Sequence, residues 1–226
     1  MPRRNTVLAT DQTYHVFNKT IDGKRVFSDK RDLQRVIECL WYYRFASTPV
    51  PLSRYLVLSS EARTRYHNHL IDSPTLASVY AFCLMPNHFH LLLKQRMDGG
   101  ISKFLSNFQN GFTGFFNLKN ERLGNVFLRQ FKAVRIETEE QLVHVSRYIH
   151  LNPFTARMFP DLSSLYLYKW SSFPDYAGSV KNLYKITEKE VVLNLFSGNE
   201  DKYCEFVCDN AGYQRQLGQI GHLVFE

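Results

Sequence analysis

Residues 79–94, Val-Tyr-Ala-Phe-Cys-Leu-Met-Pro-Asn-His-Phe-His-Leu-Leu-Leu-Lys, decide the fold. Val79 to Leu84 is an unbroken apolar run of strand length and reads as a buried strand. Met85-Pro86-Asn87 is turn chemistry, and His88 to Lys94 is a second strand. The two runs predict a hairpin, ended by Gly99-Gly100.

On its N-terminal side, Gln12 to Asn18 is rich in β-formers and predicts a first strand. Asp22-Gly23 signals a turn, with Val26-Phe27 extending a second hairpin. Ser28 or Asp29 can cap a helix to about Phe45, because Leu33, Val36, Ile37, Leu40 and Trp41 recur at helical spacing. Pro49-Val50-Pro51 breaks it, and residues 46–77 read as an insertion, helical in part. On the C-terminal side, Ile101 to Leu118 predicts a helix carrying Phe104, Phe108, Phe112 and Phe116, interrupted by Gly111 and Gly114. A fourth strand carries Lys132 and Arg135. Thr138 with Gln141 is a capping box for a helix to Asn152, stopped by Pro153. Residues 160–178 are irregular and aromatic. The order strand, helix, strand, strand, helix, strand, helix predicts an α+β fold: a ferredoxin-like antiparallel sheet with helices on one face. The expected domain is 1–178, followed by a small helical C-terminal extension over 179–226, where Thr187 to Glu190 is a second capping box and Asn199 starts a helix.

The 226 residues are enough for a sizeable core, and 44% hydrophobic with 15% aromatic residues excludes collagen-like and disordered classes. A net charge of +7 favours polyanion partners, with a basic protein that has no such partner as the plainer alternative. No apolar run reaches the roughly 20 residues that span a bilayer, and the N-terminus lacks a signal-peptide core, so no membrane partner is expected. Cys39, Cys83, Cys204 and Cys208 form no Cys-x-x-Cys pair and fit reduced core thiols in the cytoplasm. Cys204 and Cys208, one helical turn apart, read as packing rather than half a metal site.

Strand alternation puts His88 and His90 on one face and Phe89 on the other. Two neighbouring neutral imidazoles can bind one divalent metal; two polar residues on a solvated strand face are the plainer alternative. His67-Asn68-His69 has the same spacing without the alternation and reads as solvated or DNA-facing. Tyr148 and Asn152 are i and i+4 and share a helix face, whereas His150 points away from both. The Asn152 carbonyl is a hard ligand suited to Mg²⁺ or Mn²⁺. Tyr148 carries a phenol that could attack a phosphate held by such a cation, or it is simply a core aromatic at a helix end.

Leu84-Met85-Pro86-Asn87-His88-Phe89-His90-Leu91-Leu92, taken with Tyr148-Ile149-His150-Leu151-Asn152-Pro153, resembles the IS200-like single-strand DNA transposases. Tyr14-His15-Val16-Phe17-Asn18 and Trp170-Ser171-Ser172 narrow the likeness to the REP-associated tyrosine transposases of bacteria. The resemblance covers about residues 12 to 178. It implies that His88, His90 and Asn152 hold one Mg²⁺ or Mn²⁺ and that Tyr148 is the nucleophile. It also implies cleavage of hairpin-forming single-stranded DNA through a 5′-phosphotyrosine link. A monomer is expected, with a dimer left open. Asn18-Lys19-Thr20 stands where relatives often carry an Arg-Gly turn, which leaves the preferred DNA sequence open. Candidate phosphate contacts are Arg3, Arg4, Lys19, Arg25, Arg63, Arg65, Arg129, Lys132, Arg135 and Arg147. The rival readings are a catalytically silent hairpin-binding repressor on the same fold and a metal hydrolase of small phosphoesters.

Overall fold

The computed structural model describes residues 6–179, 184–209 and 211–212. Its core elements are β1 (Thr13–Lys19), α1 (Lys30–Tyr43), α2 (Leu52–Tyr55), α3 (Ser60–Asp72), β2 (Ala77–Met85), β3 (His88–Gln95), α4 (Gly100–Lys119), β4 (Lys132–Ile136) and α5 (Glu139–Thr155). A 3-10 segment (Leu162–Leu167) and α6 (Phe173–Tyr176) follow, then α7 (Glu190–Leu193) and α8 (Glu200–Asp209) in the C-terminal appendage. The four strands pair antiparallel in the order β2-β3-β1-β4, the ferredoxin-like arrangement. The expected second hairpin at Val26-Phe27 is absent. Residues 21–23 form a 3-10 turn instead, and the amides of Val26 and Phe27 both donate to the carbonyl of Pro86. That contact anchors the loop after β1 on the β2–β3 turn.

One face of the sheet, through Tyr14, Val16, Phe82, Leu84, Phe89, Leu91 and Leu93, packs against α1 and α4. Helix α1 starts where Asp29 accepts from the amide of Asp32, and Lys119 at the end of α4 binds the Asp29 and Asp32 carboxylates. Gly111 does not interrupt α4: a Cβ there would come within 2.5 Å of the Tyr43 ring, so the glycine permits close approach of α1. The insertion is helical and folds back on this layer, with the ring of His67 stacked on Trp41 at 5.4 Å. His67 is therefore a packing residue rather than a solvent- or DNA-facing one.

Helices do not keep to that face. Helix α5 covers the opposite one, where Ala81, Cys83, Met85, Leu92 and Ile136 meet Ile149, Leu151 and Phe154. The physical reason lies in the strands. A bulge between Val79 and Ala81 leaves β2 buried along its whole length, so it needs apolar cover on both sides. The outer edge of β2 is closed as well: Ser172 and Phe82 exchange backbone and hydroxyl bonds, and the amide of Leu84 donates to the carbonyl of Trp170. The Thr187 box does not form. Thr187 instead bridges Val79, and its hydroxyl donates to Asp175. Asn199 caps α8 as expected, its side chain accepting from the amide of Lys202. Helix α8 contributes Tyr203, Cys204 and Val207 to the second core, so Cys204 packs as expected.

Candidate active site

Helix α5 begins at Thr138, whose hydroxyl accepts from the amide of Gln141. It continues through Pro153 to Thr155, because a proline in the last turn sacrifices only one helical bond. His150 is fully buried and faces away from Tyr148's side. Its Nε2 lies 2.7 Å from the Ser172 hydroxyl and its Nδ1 2.8 Å from the Tyr203 hydroxyl, which donates to Ser146. These bonds fix the rotation of α5 about its own axis between the edge of β2 and α8. Tyr148 is thereby turned onto the sheet.

There it meets the histidines. His88 and His90 project from one side of β3 with ring centroids 5.0 Å apart. The Tyr148 ring stands edge-on to His90 at 5.6 Å. It stands in the same way to His15 of β1, at 5.7 Å. His15 is the residue that strand-by-strand reading left without a role. Its Nε2 is 3.0 Å from His90 Nδ1, and Phe17 of β1 lies 5.7 Å from the His90 ring. The alternation of β1, combined with its place beside β3, was the signal for it. Asn152, one turn beyond Tyr148, is buried. Its amide nitrogen donates to the Tyr148 backbone carbonyl at 2.9 Å, which leaves the side-chain oxygen as an acceptor.

The site is strongly desolvated, and burial sets its charge state. Burial pushes His15 down to about 4. His88 also falls to about 4, through burial and then the nearby Lys19 ammonium. His90 is held well below the usual imidazole value by burial first, then by His15, His88 and Lys19. All are neutral imidazoles near pH 7, with a nitrogen lone pair to offer. Burial pushes the Tyr148 phenol up, opposed by a hydrogen bond with the Asn152 side chain, so a phenolate there would need a positive centre beside it. Among the described residues, no group of three or more His, Cys, Asp or Glu side chains converges on a common point. Two neutral imidazoles with an amide oxygen one helical turn from Tyr148 are donor types that would suit a divalent cation completed by water or phosphate oxygens.

The basic candidates scatter. Lys19 is exposed and pairs across the ladder with His88, and Lys132 lies opposite Phe17 with its ammonium 6.0 Å from that ring, so both flank the histidines. Arg135 lies opposite Tyr14, on the sheet face away from the histidines, and bonds Gln12. Arg147 stacks on Phe206 of α8 at 4.4 Å and bonds His144. Arg63 bonds the carbonyl of Leu56, and Arg65 is exposed on α3, so both sit on the layer opposite the site. Arg25 is exposed in the loop after β1. Arg129 is exposed beside a polar groove of about 380 Å³, which Gln109, Asn110 and Thr113 of α4 also line. Arg3 and Arg4 lie outside the described residues. Phe127 and Phe131, on either side of Arg129, are buried in the core that packs on α1 and α4. No helix among the described residues is long and apolar enough to cross a membrane.

The profile of a family described as "Transposase IS200 like" matches residues 9–152. Among solved structures, the chain is similar to a REP-associated tyrosine transposase bound to a REP hairpin, with a TM-score of 0.56 at 13% identity over 83% of this chain and 98% of that one. At that identity the likeness speaks for the fold. No curated protein matches in sequence.

Proposed function

This chain belongs to the IS200-like transposase family, and on that premise we propose that it is a metal-dependent single-strand DNA endonuclease and strand transferase acting on REP-like hairpins. The observation that carries the reading is the edge-on contact of Tyr148 with both His15 and His90, which brings a helix and two distant strands to one point. The solved relative's hairpin, together with this chain's positive charge, supports hairpin-forming DNA as the substrate.

In the proposed reaction the Tyr148 phenol gives its proton to solvent and its oxygen attacks a backbone phosphorus. The Tyr148 O–P bond forms as the P–O3′ bond breaks. The electron pair leaves on O3′, which takes up a proton as a free 3′-hydroxyl. The 5′-phosphate stays on Tyr148 until a new 3′-hydroxyl reverses the step. His88, His90 and the Asn152 oxygen would hold one Mg²⁺ or Mn²⁺, which when bound polarises the phosphate and favours the phenolate. Lys19 and Lys132 stand where they can meet flanking phosphates. Burial of the imidazoles keeps them unprotonated, and the packed rings limit water around the phenol. Histidines and tyrosine meet within one chain, so a monomer suffices. The unpaired, mostly buried cysteines suit a reducing bacterial cytoplasm.

A labelled hairpin oligonucleotide incubated with Mn²⁺ tests this. The wild-type protein should yield a covalent protein–DNA adduct and Tyr148→Phe none; an adduct persisting in Tyr148→Phe rejects the nucleophile.

A further inference from the structure

We infer that Asn87 and His15 are positioning residues that lock His88 and His90 into the Nδ1–H tautomer, so that both present Nε2 to the cation. This rests on the proposed ligand role of the two histidines but concerns groups to which that proposal gives no part.

The geometry is specific on each side. Asn87 Oδ1 lies 2.7 Å from His88 Nδ1. An amide oxygen only accepts, so His88 Nδ1 must carry the hydrogen. The orientation of that amide is itself fixed, because its nitrogen donates to the carbonyl of Gly23 at 3.3 Å. The loop after β1 thus reaches back to the β2–β3 turn to set one imidazole. On the other side, His90 Nδ1 lies 3.0 Å from His15 Nε2. That contact occupies the nitrogen, so only Nε2 of His90 is left to meet a cation. A neutral ring has one hydrogen, and a coordinating Nε2 cannot keep it. With a cation on Nε2, the hydrogen is therefore on Nδ1 and is donated to His15, whose own hydrogen is then on Nδ1. The two proposed ligands receive the same treatment, one from the turn before β3 and the other from β1. Partners of this kind set ring orientation and ligand basicity, and losing one typically weakens metal binding by about 10–100-fold. His15 does not serve as a further ligand in this scheme, in keeping with the absence of a three-donor group among the described residues.

The first test needs no DNA. Long-range ¹H–¹⁵N spectra at neutral pH report which ring nitrogen carries the hydrogen. His88 should be Nδ1–H in the metal-free protein and His90 should be Nδ1–H with Mg²⁺ bound, and an Nε2–H signal from either ring in that state overturns the assignment for that pair. The second test is Mn²⁺ titration followed by electron paramagnetic resonance. Asn87→Ala and His15→Phe should each bind Mn²⁺ about 10–100-fold more weakly, and His15→Gln, which restores an acceptor, should recover most of the loss. Unchanged affinity in His15→Phe, or failure of His15→Gln to improve on it, rejects the positioning role. If the tautomers are as stated but no DNA adduct forms, the fault lies with the proposed reaction and not with this assignment.

Discussion

On the proposed reading, His88 separates cutting DNA from holding it. It is only part-buried, so its truncation creates no large cavity, and the neighbouring Lys19 remains to meet phosphate. His88→Ala should therefore lose adduct formation by at least about 100-fold, while hairpin affinity in a gel shift stays within about threefold, because phosphate contacts supply most of it. A parallel collapse of binding would mean that His88 touches DNA directly. Chelation by EDTA should mimic the mutation in the wild-type protein, with activity restored by Mn²⁺. At this scale spacing alone put His88 with His90, and Tyr148 with Asn152, on shared faces; that the two pairs belong to one site came from the family resemblance. His15 was not legible, since a lone histidine in a strand has no partner until the order of strands is known. Asn87 was read as turn chemistry, which it is, and its side-chain oxygen has the second task only because the turn continues into His88.

Among the elements, α5 carries a buried electrostatic liability in His150. Burial depresses His150 to about 3, against roughly 6.5 when exposed. Between those values the unfolded chain binds a proton that the folded chain refuses, so stability falls as pH drops below about 6.5, by up to ~1.4 kcal/mol per pH unit for this one group. His15, His88 and His90 are depressed too and add in the same direction. Asp29, lowered to about 2 chiefly by its bond to Lys119, lets its own contribution go only below about pH 4. Urea unfolding of the metal-free protein should thus show stability declining between pH 6.5 and 4.5; a flat profile would contradict the buried neutral histidines. Tyr203→Phe should cost about 1–3 kcal/mol in the same assay at pH 7, because it leaves the buried His150 without its Nδ1 partner. The second helical layer was half-legible in advance. The unbroken apolar runs of β2 and Leu91-Leu92-Leu93 require cover on both sheet faces, yet element order alone suggests one. The extra residue at the β2 bulge, which changes the phase of the strand, has no signature in an all-apolar run.

Across the whole molecule, the two faces of the sheet divide the labour. The α1–α4 layer, with α3 folded onto it, is the larger aromatic core, and the α5 layer holds the histidines and the tyrosine. The +7 charge does not say which basic residues would meet DNA. On the proposed reading, position does. Lys19 and Lys132 flank His88 and Phe17, whereas Arg63 and Arg65 sit on α3 across the sheet. Each phosphate contact removed should lower the slope of log affinity against log salt by roughly 0.7–0.9. The double variant Lys19→Ala/Lys132→Ala should therefore shallow the slope by about 1.4–1.8 in hairpin binding titrated from low to moderate salt. Arg63→Ala/Arg65→Ala should leave it unchanged within error. An equal loss in the second pair would mean that the hairpin wraps past the sheet edge onto α3, giving the insertion a share of the binding that its place behind the core does not suggest.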